Sequence, residues 1–237
     1  GPEFNEATLF DPKGNFSVAG GYASSLGGLY PDGMLTRDDA KHKRTRRASQ
    51  PAFKNDALKT YVDMLIPIQE RRIQDLPINE EFIFYDNIQK TLMDVAARVF
   101  IGLDELSPEA KKLGHLFSEI NEGLITPLPY DLPFLQFRKS LKAREELRQF
   151  FIENIPKRRG SNGLDMFTRY CNAKDEDGEY LDDIDIDGHI AFLLFAAFDT
   201  TTSALTNILY YLGKNPEWQD KVRNEIFSVT NEMPTFE

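Results

Sequence analysis

One carboxylate and four hydroxyls, Asp199-Thr200-Thr201-Thr202-Ser203, interrupt an apolar stretch over residues 185–213. Ile190 through Phe198 are all apolar, and apolar residues return through Tyr211. Buried polar groups must be hydrogen-bonded or line a cavity, because leaving them unpaired costs roughly 1–3 kcal/mol on mutational data. Asp199 is therefore the most informative residue in the chain: an acid beside hydroxyls in an apolar element can move protons at a polar notch. The local alternative is that the hydroxyls bond back to the carbonyl one turn earlier and bend a helix slightly. Spacing alone leaves both open. A second constellation lies in residues 36–53, TRDDAKHKRTRRASQPAF, where His42 and Arg46 are one helical turn apart. A His and an Arg on one face can hold a pair of carboxylates, and guanidinium offers the fork geometry that carboxylates prefer. A solvated basic face or a nucleic-acid patch would also account for the charge, and on charge alone the solvated face is the simpler reading.

Both constellations need helices to position them. Residues 185–213 are several times longer than a usual strand of roughly five or six residues. A membrane span is disfavoured because Asp199 would sit near its middle. The stretch reads as a long buried helix, with Asp185 or Asp187 able to cap its start and Gly213 able to stop it. Thr36 or Asp38 can cap the basic helix, which Pro51 ends. Apolar spacing predicts further helices over 56–76 and 82–103, broken at Pro77-Ile78-Asn79. Ser107-Pro108-Glu109 starts another that runs to about Gly123, and an amphipathic helix follows over 136–159 after Pro127, Pro129 and Pro133. A short helix is expected over 163–174. Asn215-Pro216-Glu217 restarts a helix to Val229. The opening 36 residues, rich in glycine and carrying Pro12 and Pro31, read as short helices joined by turns. Gly20-Gly21 lacks the Lys-Ser/Thr ending of a phosphate loop. Asp177-Gly178 marks a tight turn between short extended pieces.

Composition narrows the function classes. A net charge of −10 in 237 residues argues against generic nucleic-acid binding. The single cysteine, Cys171, excludes an internal disulfide and any multi-cysteine metal site, and fits a reducing, cytoplasmic setting. The acidic run over 175–187 fits neither a calcium loop, which needs glycine at its sixth position, nor an Asp-Asp-x-x-Asp diphosphate site; a solvated turn is the better account. His115, alone on its helix, is read as an ordinary residue.

Ala196-Ala197-Phe198-Asp199-Thr200-Thr201 resembles the central-helix signature of the cytochromes P-450, with Ala197 where the family usually has Gly. The His-x-x-x-Arg-Arg pattern at His42, Arg46 and Arg47, followed by Pro-Ala-Phe, is similar to the family's haem-edge helix. Val95 to Gly102 resembles its core helix ending in Phe-x-Gly, and Leu212 to Gln219 resembles the start of its next helix. The entry over Gly1-Pro2-Glu3-Phe4, which could be a cloning remnant, also matches and is read as native.

The resemblance implies a mainly α fold, the central part of the cytochrome P-450 fold, with residues 1–237 as one partial domain. In it 36–53 is the haem-edge helix, 107–159 a lid-like helix pair, 185–213 the central oxygen-activating helix and 215–229 the helix after it. It further implies a haem-thiolate monooxygenase that inserts one oxygen atom from O2 into a lipophilic small molecule. His42 and Arg46 would bind the haem propionates, and Ala196 would let the helix approach the haem. Thr200 would hold the reacting oxygen and a water, and Asp199 would link that network to solvent. Lys43, Arg44 and Arg47 would face an electron-donor protein. The axial cysteine is expected outside this chain, since Cys171 lies before the central helix, so the chain alone should be inactive. A haemless helical remnant that binds a lipophilic ligand, or a helical interaction protein using the basic face, remains a different reading of the same residues.

Overall fold

The computed structural model describes residues 1–11, 14–230 and 235–236, and Pro12 of the opening lies outside them. Ten α-helices occupy the described residues: α1 Pro2–Phe10, α2 Val18–Tyr22, α3 Asp39–Ser49, α4 Asn55–Gln74, α5 Phe84–Val95, α6 Pro108–Leu124, α7 Gln136–Arg158, α8 Met166–Cys171, α9 Asp183–Lys214 and α10 Pro216–Val229. Short 3-10 turns at Met34–Thr36 and Gln50–Phe53 flank α3, and a π-helical stretch, Ala96–Ile101, closes α5. No β-strand occurs among the described residues; the Asp177-Gly178 turn brings Lys174 and Tyr180 together in a single antiparallel bridge, in place of the expected extended pieces.

The helices end where their chemistry dictates. Ser107 caps α6, its side chain accepting from the backbone N–H of Ala110, and Pro108 takes the first helical position, where its missing N–H costs nothing. Asp165 caps α8 by accepting from the N–H of Thr168. Gly102 stops the π-helical stretch at φ 72°, and a Cβ there would lie 2.4 Å from the Asp165 carboxyl carbon, so the position is closed to any side chain. Asp38 stands at the N-cap of α3 but turns away from it, accepting from Ser17 Oγ and from the N–H groups of Val18 and Ala19 at the start of α2.

The central helix α9 differs from expectation at both ends. It starts after Asp182, and Asp185 and Asp187 point into the protein rather than capping it. It runs through Gly213 and stops at Asn215, where Pro216 begins α10. Only its first half is a core element: Ile186, Ile190, Ala191, Phe192, Leu194 and Phe198 are buried, whereas Leu205, Ile208, Leu209, Tyr210 and Tyr211 are exposed. By length and composition α9 could cross a membrane, but it packs against α5, α7 and α8.

Ion pairs, two of them buried, pin α9 in place. Arg144 of α7 grips Asp187 with both guanidinium arms, at 3.0 and 2.7 Å, and donates a further bond to the Leu29 carbonyl. Arg37 meets Asp185 at 2.6 Å and Asp32 at 3.2 Å. Asp183 pairs with Arg159 at 2.7 Å. The acidic run thus divides: residues 176–179 form the exposed turn that was expected, whereas Asp183, Asp185 and Asp187 are anchors of α9. Its glycine lets backbone approach backbone: a Cβ on Gly188 would fall 2.7 Å from the Asp32 carbonyl oxygen, and one on Gly33 would fall 2.9 Å from Phe192. The segment before α3 is thus pressed onto the central helix.

Over this frame α6 and α7 form an antiparallel pair with the most extensive packing between any two helices. Gly123 lets them close, since a Cβ there would come within 2.6 Å of Ser140. Ser140 Oγ donates to the Glu119 carbonyl at 2.5 Å, and the Phe117 ring meets Phe198 of α9 edge-on at 5.5 Å.

Candidate functional site

The basic helix α3 buries Thr45, Ala48 and Ser49 on one face. Next to that face, Arg46, Ser49, Gln50 and Phe53 line a cavity of about 450 Å³, closed on the far side by His189, Phe192 and Leu193 of α9 and by Tyr170 of α8. Arg46 makes no hydrogen bond or ion pair among the described residues, so its charge is free to meet an acid. His42 lies one turn earlier, half-buried and outside the lining. Burial pushes the Tyr170 phenol up to about 12, so it stays neutral.

The remaining predicted residues follow along α9. Ala196 is half-buried about one turn past Phe192 and Leu193, and Asp199 and Thr200 stand a further turn on, exposed at the rim. The structure thus brings Arg46 to the central helix across a cavity, and sets Ala196, Asp199 and Thr200 beyond it on that helix. The Thr200 hydroxyl donates to the Ala196 carbonyl at 2.6 Å; Thr202 and Thr206 do the same one turn back, at 2.8 and 2.7 Å. The local back-bonding of hydroxyls is what this state of the molecule displays. Partial desolvation raises the Asp199 carboxyl above its ordinary value.

Two of the exposed basic residues are engaged. Arg44 binds Asp175 at 2.8 Å, and Arg47 pairs with Glu176. Lys43 is exposed and makes neither kind of bond among the described residues.

His189 was not singled out by its sequence context. It is 1% exposed, both ring nitrogens lack hydrogen-bond partners, and burial together with the Arg37 charge pushes its pKa down to about 4. The imidazole is neutral at pH 7.

Among the described residues no cluster of three or more His, Cys, Asp or Glu side chains could hold a metal ion. Cys171 is fully buried and its thiol is pushed up to about 12, so it offers no thiolate. What the site does fit is a large apolar group with an acidic edge. Leu193, Ala196 and Ala197 present small and apolar surface that the chain leaves half-covered, and the exposed Arg46 lines the same cavity as Leu193. A haem, a large apolar group with an acidic edge, would meet those requirements.

Comparison with known proteins gives the same answer over almost the whole chain. The family model for cytochrome P450 matches residues 11–237. Cytochrome P450 136 of Mycobacterium tuberculosis is 32% identical over 233 residues, which are 95% of this chain and 46% of that protein. A beta-amyrin 28-monooxygenase of Vitis vinifera is 27% identical over 218 residues, 89% of this chain and 45% of that protein. Among solved structures, the retinoic acid-bound cyanobacterial CYP120A1 superposes with a TM-score of 0.81 at 26% identity, covering 90% of this chain and 49% of the other. The heme domain of cytochrome P450DA superposes with a TM-score of 0.79 at 20% identity, a likeness of fold. The chain spans about half the length of the curated relatives it matches. With the family's cofactor, haem, fitting the surface that α3 and α9 present, the chain belongs to the cytochrome P450 family.

Proposed function

We propose that this chain is the middle part of a single haem-thiolate monooxygenase domain, whose parent inserts one oxygen atom from O2 into a lipophilic small molecule. The observation that carries the reading is Arg46: an exposed arginine with no ion-pair partner among the described residues, at the edge of a cavity whose opposite wall is the apolar face of α9. When bound, haem with a cysteine thiolate from outside this chain would supply reductive O2 cleavage, two electrons and two protons yielding one inserted oxygen and one water.

The chain's own residues would do the rest. Arg46, with His42 a turn earlier, would fix the cofactor's acidic edge, while Ala196 leaves room for the helix to lie close to its face. Thr200 would hold a proton at the reacting oxygen once its hydroxyl turns away from the Ala196 carbonyl. Asp199, exposed at the rim, would take protons from solvent; its raised carboxyl favours the protonated form that can pass them inward. The similarity to a beta-amyrin monooxygenase and to a retinoic acid-bound protein supports a lipophilic substrate. An electron donor with an acidic face would dock near Lys43, Arg44 and Arg47, drawing the two arginines from Asp175 and Glu176. A cytoplasmic location is supported by the free thiol of Cys171.

The test is to express the parent from its native coding region, reduce it and add carbon monoxide. The red-shifted band of a thiolate-ligated ferrous haem is the expected result. Arg46→Leu should weaken haem retention roughly ten- to a hundredfold, since a hydrogen bond to a charged group contributes about 1.5–3 kcal/mol. A folded parent that takes up no haem overturns the reading in favour of a haemless ligand-binding protein.

A further inference from the structure

Asp199 is linked to residues that the proton-relay reading does not use. The Tyr30 hydroxyl, in a side chain with no exposed surface, donates to Asn121 Oδ1 at 2.6 Å. The other end of that amide, Asn121 Nδ2, donates to Asp199 Oδ2 at 3.5 Å. The Tyr30 ring stacks on Phe195, one turn before Asp199, with centroids 4.8 Å apart. Three separate parts of the chain therefore meet here: the segment before α3, the helix α6 of the upper pair, and the central helix.

We propose that Tyr30 and Asn121 are positioning residues for Asp199, and that through them the carboxylate senses where α6 sits. The inference rests on the reading of Asp199 as a proton relay and deepens it.

The direction of the chain follows from the chemistry of its members. Burial raises the Tyr30 phenol far above its ordinary range, so the hydroxyl always carries a proton to give. With its oxygen occupied by that proton, the Asn121 amide must turn its NH2 group the other way, toward Asp199. An NH2 group is a donor only, so it fixes one orientation of the carboxyl, with an accepting oxygen toward α6. The two links differ in strength: 2.6 Å is a short O–H···O bond, whereas 3.5 Å is at the outer limit for a side-chain hydrogen bond. Tyr30 is also held by its stack on Phe195, so it belongs mechanically to the core. Asn121 rides on α6. A displacement of α6 by an ångström breaks the weak link first and leaves Asp199 free to rotate. The bland account is that Asn121 does no more than satisfy a buried phenol; it predicts that Asp199 and α6 are indifferent to each other.

That difference can be measured in the haem-loaded parent protein with Asn121→Ala, Asp199→Ala, the double variant of these two and Tyr30→Phe, keeping Asp199→Asn for the turnover readout. The first readout is amide hydrogen exchange over the last turns of α6, which does not depend on turnover. A net bond of about 0.5–1.5 kcal/mol predicts that either single variant speeds local exchange about two- to tenfold. The double variant should exchange no faster than Asn121→Ala alone. Tyr30→Phe keeps the stack but frees the amide to flip, so its effect should be smaller. Additive effects in the double variant, or unchanged exchange in Asp199→Ala, overturn the tether. The second readout is the solvent deuterium isotope effect on turnover at unchanged KM. Asn121→Ala should shift it in the same sense as Asp199→Asn, and an unshifted value overturns the positioning role. If Asp199→Asn itself leaves the turnover rate and its isotope effect unchanged, the relay reading is what fails, and the exchange data still decide the tether.

Discussion

Replacing His189 with glutamine should flatten the acid side of the protein's stability profile. His189 is the one buried histidine among the described residues; His42 is half-buried and His115 exposed. In the folded chain its imidazole protonates near pH 4, because burial and the Arg37 charge oppose a second positive charge; Asp185 and Asp32 pull weakly the other way. In the unfolded chain it protonates near 6.5. Between those values the unfolded chain binds a proton that the folded chain refuses. The histidine's contribution is therefore complete above about pH 6.5 and is lost as pH falls toward 4. A difference of 2.5 between the two pKa values corresponds to about 3 kcal/mol, of which about 2 kcal/mol is gone by pH 5. For a parent about twice the length of this chain that is a fall in Tm of about 2–4 °C between pH 7.5 and pH 5 beyond what other groups cause. Glutamine keeps a polar side chain of similar reach and cannot titrate. Melting wild type and His189→Gln in parallel from pH 5 to 7.5, in the parent protein, isolates the effect as the difference between the two curves. Curves that stay parallel across the range would refute the reasoning.

Two further outcomes follow from contacts already described. Thr200→Ala removes a hydroxyl that is bonded only to its own helix, so stability should change by no more than about 0.5 kcal/mol. In the parent enzyme, however, a larger share of the electrons consumed should leave as hydrogen peroxide; undiminished product per electron removes Thr200 from the mechanism. Asp187→Ala leaves the Arg144 guanidinium buried without its partner, which should cost about 3–5 kcal/mol, read as a lower denaturant midpoint at unchanged slope. A loss below about 1 kcal/mol would mean that water replaces the carboxylate.

The helices were legible because their signals are local. Ser107-Pro108 placed the start of α6, and a four-residue spacing put His42 and Arg46 within one turn on α3. The mistakes fall where the deciding partner is distant. Asp185 and Asp187 read as caps or solvated acids because nothing nearby demands otherwise, yet Asp187 is held by an arginine 43 positions away. One signal was available: Ser140, Ala143, Arg144, Leu147, Phe151 and Ile155 share the buried face of α7, and an arginine on such a face requires an acid. Gly213 suggested a stop, but the helix passes through it, since glycine permits a left-handed turn without imposing one. The central helix read as buried throughout, whereas apolar composition alone could not tell its covered half from its exposed half. The chain from Tyr30 through Asn121 to Asp199 spans separations of 91 and 78 residues and leaves no pattern in the sequence.

The close approach of Gly33 to Phe192 and of Gly188 to Asp32 also sets a clock on biosynthesis. These contacts join positions more than 150 residues apart, so the segment carrying Leu29 and Tyr30 can meet α6 and α7 earlier but cannot complete its burial until the first half of α9 has left the ribosome. At about 5–20 residues per second that delay is roughly 10–30 s. During it two large side chains that end fully buried remain partly open to solvent and to other nascent chains. Fast local helix formation cannot shorten the wait, because the missing element is not yet made. Slowing translation between the codons for Tyr30 and Phe192 should therefore lower soluble yield, and chaperones that hold extended apolar segments should restore it.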